Sequence, residues 1–188
     1  MANVDAAFGF RPVRHMFGGV VRPSEYRIAG EYGTALYRGD PVKSVGTGRT
    51  VEIAVTSTNA LGIFDGCQYV NAQGEIVFSP YWPASQTIKA GSEVRAFVYD
   101  DPNILFEVQA DGLVAAADIG HTADWASGTG SALTGQSKYE LESAGIASDA
   151  GLKIVDIVRD GVNAFGANAR VLVLINEHEH RPGTFTGV

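Results

Sequence analysis

The sequence predicts an all-β protein: a compact antiparallel β-barrel or sandwich of about ten short strands with an extended N-terminal arm. Three observations lead there. Short stretches alternate apolar and polar residues, as half-buried strands do. Turn signals recur between them, and 23 glycines are scattered without a period. No long segment carries apolar residues at helical spacing. The length of 188 residues suits one domain, or a domain with an extension, and can bury a core without staples. The reading divides the chain into an arm, residues 1–23, and a single β-rich body, residues 24–188.

The elements follow in order. Residues 1–23 hold Phe8, Phe10, Val13, Phe17 and Val20, interrupted by Gly9, Pro12, Gly18 and Gly19. A free arm that apolar would aggregate, so it must pack against something. Tyr26 to Tyr37 reads as strand, turn and strand. Arg38-Gly39-Asp40-Pro41 is a turn; as an integrin-recognition tripeptide it would need a secretory route that the N-terminal sequence does not suggest. Val42 opens a strand, and Gly46-Thr47-Gly48 is a hairpin turn. Val51, Ile53 and Val55 share one strand face.

Residues 61–83 form the densest aromatic stretch and hold the only cysteine, Cys67. They read as a hairpin, Leu61–Val70 and Glu75–Ser79, turning at 71–74. Gly62 and Gly66 mark bends or close backbone approaches. Phe64, Tyr69 and Phe78 are candidates for the core. Tyr81 and Trp82 end the hairpin as contact candidates. Further strands are predicted at 93–99, 104–110, 138–142, 153–159 and 169–177, with Val171 to Ile175 central. Residues 113–118 are the best helix candidate. Residues 120–136, around Trp125, read as a long surface loop, the kind that serves function or orders against a partner.

Chemistry is sparse. There is no P-loop, no dinucleotide glycine fingerprint, no G-x-S-x-G elbow and no H-E-x-x-H. Cys67 sits in an apolar strand as a small hydrophobe, with no base beside it. Glu177-His178-Glu179-His180 would place two imidazoles on one strand face, but a metal site needs further ligands. Asp100 and Asp101 would bind calcium with Asp111 or Asp65, or serve as turn residues. Trp82 and Trp125 would stack on a sugar, or pack in the core or at a subunit contact. No carboxylate pair stands out for glycoside hydrolysis. The chain therefore reads as a non-enzyme without cofactor or metal.

The net charge of −7 disfavours nucleic-acid binding, and no apolar run is long enough to span a membrane. Residues 1–49 carry seven basic and four acidic side chains; the remainder carries seven and seventeen. A basic front on an acidic body points to docking on an acidic surface, of another copy or of a partner. The N-terminus lacks signal-peptide order, which predicts folding in a reducing cytosol.

Several motifs then carry a resemblance. They are Gly9-Phe10-Arg11-Pro12-Val13-Arg14-His15 with Gly18-Gly19, Arg38-Gly39-Asp40-Pro41-Val42, and Gly62-Ile63-Phe64-Asp65-Gly66-Cys67-Gln68-Tyr69. Tyr81-Trp82-Pro83-Ala84, Asp101-Pro102-Asn103 with Phe106-Glu107-Val108-Gln109, and Asn176-Glu177-His178-Glu179 complete the set. Together they resemble the capsid cement, or decoration, proteins of tailed bacteriophages. The resemblance implies a structural virion protein on the outer surface of the capsid, made in the host bacterial cytoplasm. It implies the major capsid protein and further copies of the chain, as a homotrimer, as partners. The expected contact residues are Phe8, Phe10, Arg11, Arg14, Phe17, Tyr81, Trp82 and Trp125. An alternative is a receptor- or glycan-binding head fibre or tail protein that uses Trp125 and the 120–136 loop.

Overall fold

The computed structural model describes residues 3–46, 48–55, 59–146 and 150–181. In chain order the strands are β1 (Arg11–His15), β2 (Ser24–Ile28), β3 (Leu36–Tyr37), β4 (Pro41–Val45), β5 (Thr50–Ile53) and β6 (Gly62–Val70). Then come β7 (Ile76–Ser79), β8 (Tyr81–Trp82), β9 (Val94–Tyr99), β10 (Ile104–Gln109), β11 (Leu113–Val114) and β12 (Thr122–Ala123). Last are β13 (Trp125–Ala126), β14 (Glu140–Leu141), β15 (Leu152–Ile157), β16 (Gly166–Ala167) and β17 (Arg170–Ile175). The protein is all-β. The strands beyond the ten or so expected are mostly two-residue pairs, too short to leave an alternation in sequence.

Five strands close a small barrel in the order β4-β5-β2-β9-β6, and β4 pairs back with β6 through Pro41↔Ile63 and Val42↔Gly62. Neighbours run antiparallel except β2 and β5, which meet in parallel at Arg27↔Thr50. Tyr26 and Ile28 of β2 and Val94, Ala96 and Val98 of β9 alternate inward. A bulge between Phe64 and Gly66 inserts one residue in β6. Simple alternation would put Phe64, Gly66 and Gln68 on one face. The extra residue resets the pleat, so Phe64, Cys67 and Tyr69 all join the barrel core. Gly62 has a specific reason to be glycine: a Cβ there would lie 2.1 Å from the Tyr99 carbonyl oxygen on the adjoining chain.

The second sheet has the order β1-β10-β17-β15-β12, all antiparallel. The aliphatic run 171–175 lies in β17, at its centre, as the sequence predicts. Phe106, Val108, Ile154, Val171 and Val173 form the inner face, covered by Trp125, Tyr139 and Leu141. Ile63, although on barrel strand β6, belongs to this second cluster. Ile53 packs against both clusters and joins them.

Four expectations need correction. Residues 3–23 are not an arm outside the body. β1 is an edge strand of the second sheet, paired from Arg11↔Glu107 to His15↔Ile104, and Phe10 is 2% exposed in the core. Phe78 is 71% exposed, because β7 pairs only with β6 and its even-numbered residues face outward. Residues 113–118 form strand β11 and a 3-10 turn, Ala116–Asp118, rather than an α-helix. The 120–136 segment is not a free loop: it contains β12 and β13. The hairpin turn at 46–48 includes Thr47, which lies outside the described residues.

Candidate interaction surface

The N-terminal segment is held by backbone. Phe10 N–H donates to the Gly39 carbonyl (3.0 Å), and Gly39 N–H donates to the Phe64 carbonyl (2.8 Å). The Arg38-Gly39-Asp40-Pro41 turn is thus a clasp between segment and barrel. Gly9 sits there at φ +74, and a Cβ would lie 2.4 Å from the Ser137 side chain. Asp40 is buried; one carboxylate oxygen accepts from Tyr37 N–H (2.7 Å), and burial pushes its pKa up to about 6. A buried Asp40 cannot serve as a recognition tripeptide. Arg38 meets Asp65 at 2.7 Å across the outer rim of the clasp.

The eight expected contact residues divide sharply. Phe10, Trp82 and Trp125 are core residues, not contacts. Trp82 donates its indole N–H to the Tyr32 carbonyl (3.2 Å) and meets Tyr69 edge-on; Trp125 donates to the Ala54 carbonyl (3.3 Å). Each buried indole has found an acceptor, as its N–H requires. Trp125, at 1% exposure, offers no face to a sugar, so the aromatic behind the glycan-binding alternative is absent from the surface. Tyr81 is half-buried and stacked on Tyr37 at 5.6 Å. Phe8 is half-buried beneath the Arg11 guanidinium, 4.0 Å above its ring, and the pair lines a shallow groove with Gln109, Gln136 and Arg170.

Arg11, Arg14 and Phe17 are exposed, and Arg14 and Phe17 share a lobe. The β1–β2 connection carries Phe17 (75% exposed) and Val20 (79% exposed), with Arg14 before them and Arg22 after, both exposed. The loop is not loose. His15 Nδ1 accepts from Phe17 N–H (3.1 Å) and Gly19 N–H (2.9 Å), and Met16 N–H donates to the Asn103 carbonyl (2.9 Å). A second exposed apolar group, Val4, Leu113, Val162 and Phe165, was not singled out in sequence. Val4, Leu113 and the 162–165 segment are far apart along the chain; the β11–β16 pair sets Leu113 opposite Ala167, and Val4 and Val162 line one groove. Ile76 and Phe78 form a third group, on edge strand β7.

The remaining polar candidates are committed elsewhere. Asp100 accepts from Ser24 Oγ–H and Tyr26 O–H, each at 2.8 Å, and burial together with this bond pushes Tyr26 up to about 12. Asp101 accepts from Asn103 N–H (2.8 Å). Burial pushes the Cys67 thiol up to about 12, which removes thiolate character at neutral pH. His178 is buried and pushed down to about 4, first by desolvation and then by His180 and Arg181. Its Nδ1 accepts from His180 N–H (3.0 Å), so the proton of the neutral ring sits on Nε2. Among the described residues no group of three or more His, Cys, Asp or Glu side chains is arranged to hold a metal ion. No described helix is long and apolar enough to cross a membrane.

What the geometry offers is a contact surface: an apolar, basic lobe at residues 13–22 and an apolar group around Val4 and Leu113. Comparison with family models, curated protein sequences and solved structures returns no match for this chain.

Proposed function

We propose that this chain is a structural virion protein, a capsid cement or decoration protein. In this reading it binds the outside of a phage head and stabilises contacts between capsomers of the major capsid protein. It is not an enzyme and uses no cofactor. It acts with further copies of itself, as a homotrimer, at the outer surface of the capsid.

The observation that carries the reading is the lobe at residues 13–22. Phe17 and Val20 stand exposed between two arginines on a loop that His15 holds in one shape. A pre-shaped loop loses little conformational entropy on docking, so its apolar burial counts toward affinity. Burying Phe17 alone contributes about 2–3 kcal/mol. One such contact is weak, but many identical copies on one shell act together. The motif resemblance supplies the identity of the partner.

The test is decoration of phage heads assembled from a major capsid protein taken from the same genome as this chain. The purified chain is expected to co-sediment with those heads and to raise their melting temperature. A Phe17→Ser, Arg14→Ser, Arg22→Ser triple variant is expected to bind at least tenfold more weakly. Heads that neither bind the wild-type chain nor change in melting temperature would remove the cement assignment.

A further inference from the structure

β7 extends the barrel sheet beyond β6, and its outer edge is open. It pairs with β6 on one side and, among the described residues, with no strand on the other. The ladder fixes which backbone groups that edge presents. Asn71 N–H donates to the Glu75 carbonyl (2.9 Å) where the hairpin closes, and the register continues as Val70↔Ile76, Tyr69↔Val77, Gln68↔Phe78 and Cys67↔Ser79. Hydrogen-bonded and non-bonded pairs alternate along an antiparallel ladder. Val77 and Ser79 therefore bond to β6, and the N–H and C=O of Ile76 and Phe78 point outward. The Val70 carbonyl, opposite Ile76, fits this phase: it accepts from Lys89 N–H (2.9 Å), on the side away from β7. Ile76 and Phe78 also carry their side chains on one face, 63% and 71% exposed.

Nothing guards this edge. Edge strands of monomeric proteins carry charge, proline or a bulge that blocks another strand. β1, the edge of the second sheet, has Arg11, Pro12 and Arg14, with its register broken between Pro12 and Arg14. β7 reads Ile-Val-Phe-Ser, with no charge, no proline and an unbroken register. The charged side chains beside it already have partners. Glu93 and Arg95, which line the hollow next to Ile76, pair with Arg27 (3.1 Å) and Glu25 (3.5 Å). Glu75 accepts from the Asn71 amide (2.9 Å).

We propose that β7 is a self-pairing edge: the β7 strands of two copies join antiparallel about a two-fold axis at Val77, and the two barrel sheets run on as one. The backbone selects the second copy and the register together. With Ile76 opposite Phe78 of the other copy, every outward N–H and C=O on both edges is satisfied. A shift one way sets Phe78 opposite itself and Ile76 opposite Pro80, which has no N–H. A shift the other way sets Phe78 opposite Gly74, whose N–H is already donated to the Asn71 carbonyl (2.9 Å). In the favoured register Ile76 lies beside Phe78 on one face, a β-branched side chain against an aromatic one. Glu75 falls opposite Ser79, so no like charges meet. Covering Ile76 and Phe78 on both copies buries at most roughly 500 Å² of side chain, below the ~1,200 Å² of a stable complex between free proteins. The pair is therefore reversible and fills as concentration rises. A two-fold contact is no part of a three-fold ring, and β7 lies on a different sheet from β1, which leads into the 13–22 lobe. The inference stands apart from both the homotrimer and the capsid assignment.

Disulfide trapping reads the register directly. An Ile76→Cys chain mixed with a Phe78→Cys chain sets the two thiols on facing residues, about 5.5 Å apart at Cα, within the reach of a disulfide. Either chain alone sets them on diagonal neighbours at about 7–8 Å, beyond it. Both positions are exposed, so the variants fold, and the native Cys67 is buried and takes no part. In a glutathione buffer the mixture is expected to form a linked dimer at least tenfold faster than either chain alone at the same total concentration. In the wild-type chain, hydrogen exchange at the Ile76 and Phe78 amides is expected to slow at least threefold from micromolar to millimolar protein. Exchange at Val77, already bonded within the hairpin, is expected to stay unchanged. Ile76→Lys with Phe78→Lys is expected to remove the concentration dependence. A mixture that links no faster than either chain alone overturns the proposal, as does exchange at Ile76 and Phe78 that ignores concentration.

Discussion

The His15 imidazole Nε2 lies 3.2 Å from the Asp101 carboxylate, while its other nitrogen accepts from two loop amides. The acceptor role of Nδ1 requires the proton of the neutral ring to sit on Nε2, whose N–H donates to the Asp101 carboxylate. One ring therefore ties the β1–β2 loop to the β9–β10 turn. His15→Ala is expected to speed hydrogen exchange at the Phe17 and Gly19 amides at least tenfold. Its effect on global stability is expected to stay within about 1–2 kcal/mol. Unchanged exchange at both amides would mean that the loop holds its shape without the histidine.

Read as an arm outside the body, residues 1–23 should be removable without harm to the fold. The strand pairing reverses that expectation. Deletion strips the ladder from β10 and takes Phe10 out of the core. Phe10→Ala alone is expected to cost about 3–5 kcal/mol, and the deletion more. Urea denaturation measures both. A truncated chain with the full-length midpoint would show that β1 contributes nothing to stability.

Two buried groups tune stability with pH in opposite directions. Asp40 has a folded pKa of about 6, raised above its ordinary 3.8. Its contribution is fully present below 3.8 and is lost as pH rises through about 6. Asp40→Asn keeps the acceptor for Tyr37 N–H and removes the charge. The variant is expected to gain on wild type above pH 6, with the gain shrinking toward pH 4. His178, lowered to about 4 from 6.5, contributes stability that is present above 6.5 and lost as pH falls through about 4. His178→Gln is expected to flatten that acid limb. Urea midpoints at several pH values give both profiles, and curves parallel to wild type would exclude these groups as the source.

Phe64 and Phe78 make a matched pair, fully buried and 71% exposed. Phe64→Ala is expected to cost about 3–5 kcal/mol. Phe78→Ala is expected to change stability by less than about 0.5 kcal/mol. Equal losses at the two sites would place Phe78 in the core after all.

The strands that alternate cleanly were legible in sequence because burial on one face imposes a period of two. β9, β10, β15 and β17 all fall where the pattern places them. The β6–β7 hairpin was equally legible, since Asn71 and Gly74 suit a tight turn: Asn71 Oδ1 accepts from Gln73 and Glu75 N–H, and Gly74 takes φ +90. The surface was read less well. A tryptophan beside a glycine-rich segment looks the same in sequence whether its indole meets solvent or the Ala54 carbonyl.

The sequence by itself determined the all-β class, the aliphatic centre in β17 and the burial of Cys67. These follow from local pattern and from residue chemistry. Only the tertiary structure decided that residues 3–23 belong to the body, since β1 finds its partner in β10, almost a hundred residues away. It alone reset the faces of β6 through one bulged residue, and brought Val4 and Val162 into one groove. Pairing register and long-range packing are properties of two segments at once, and no single stretch of sequence records its partner.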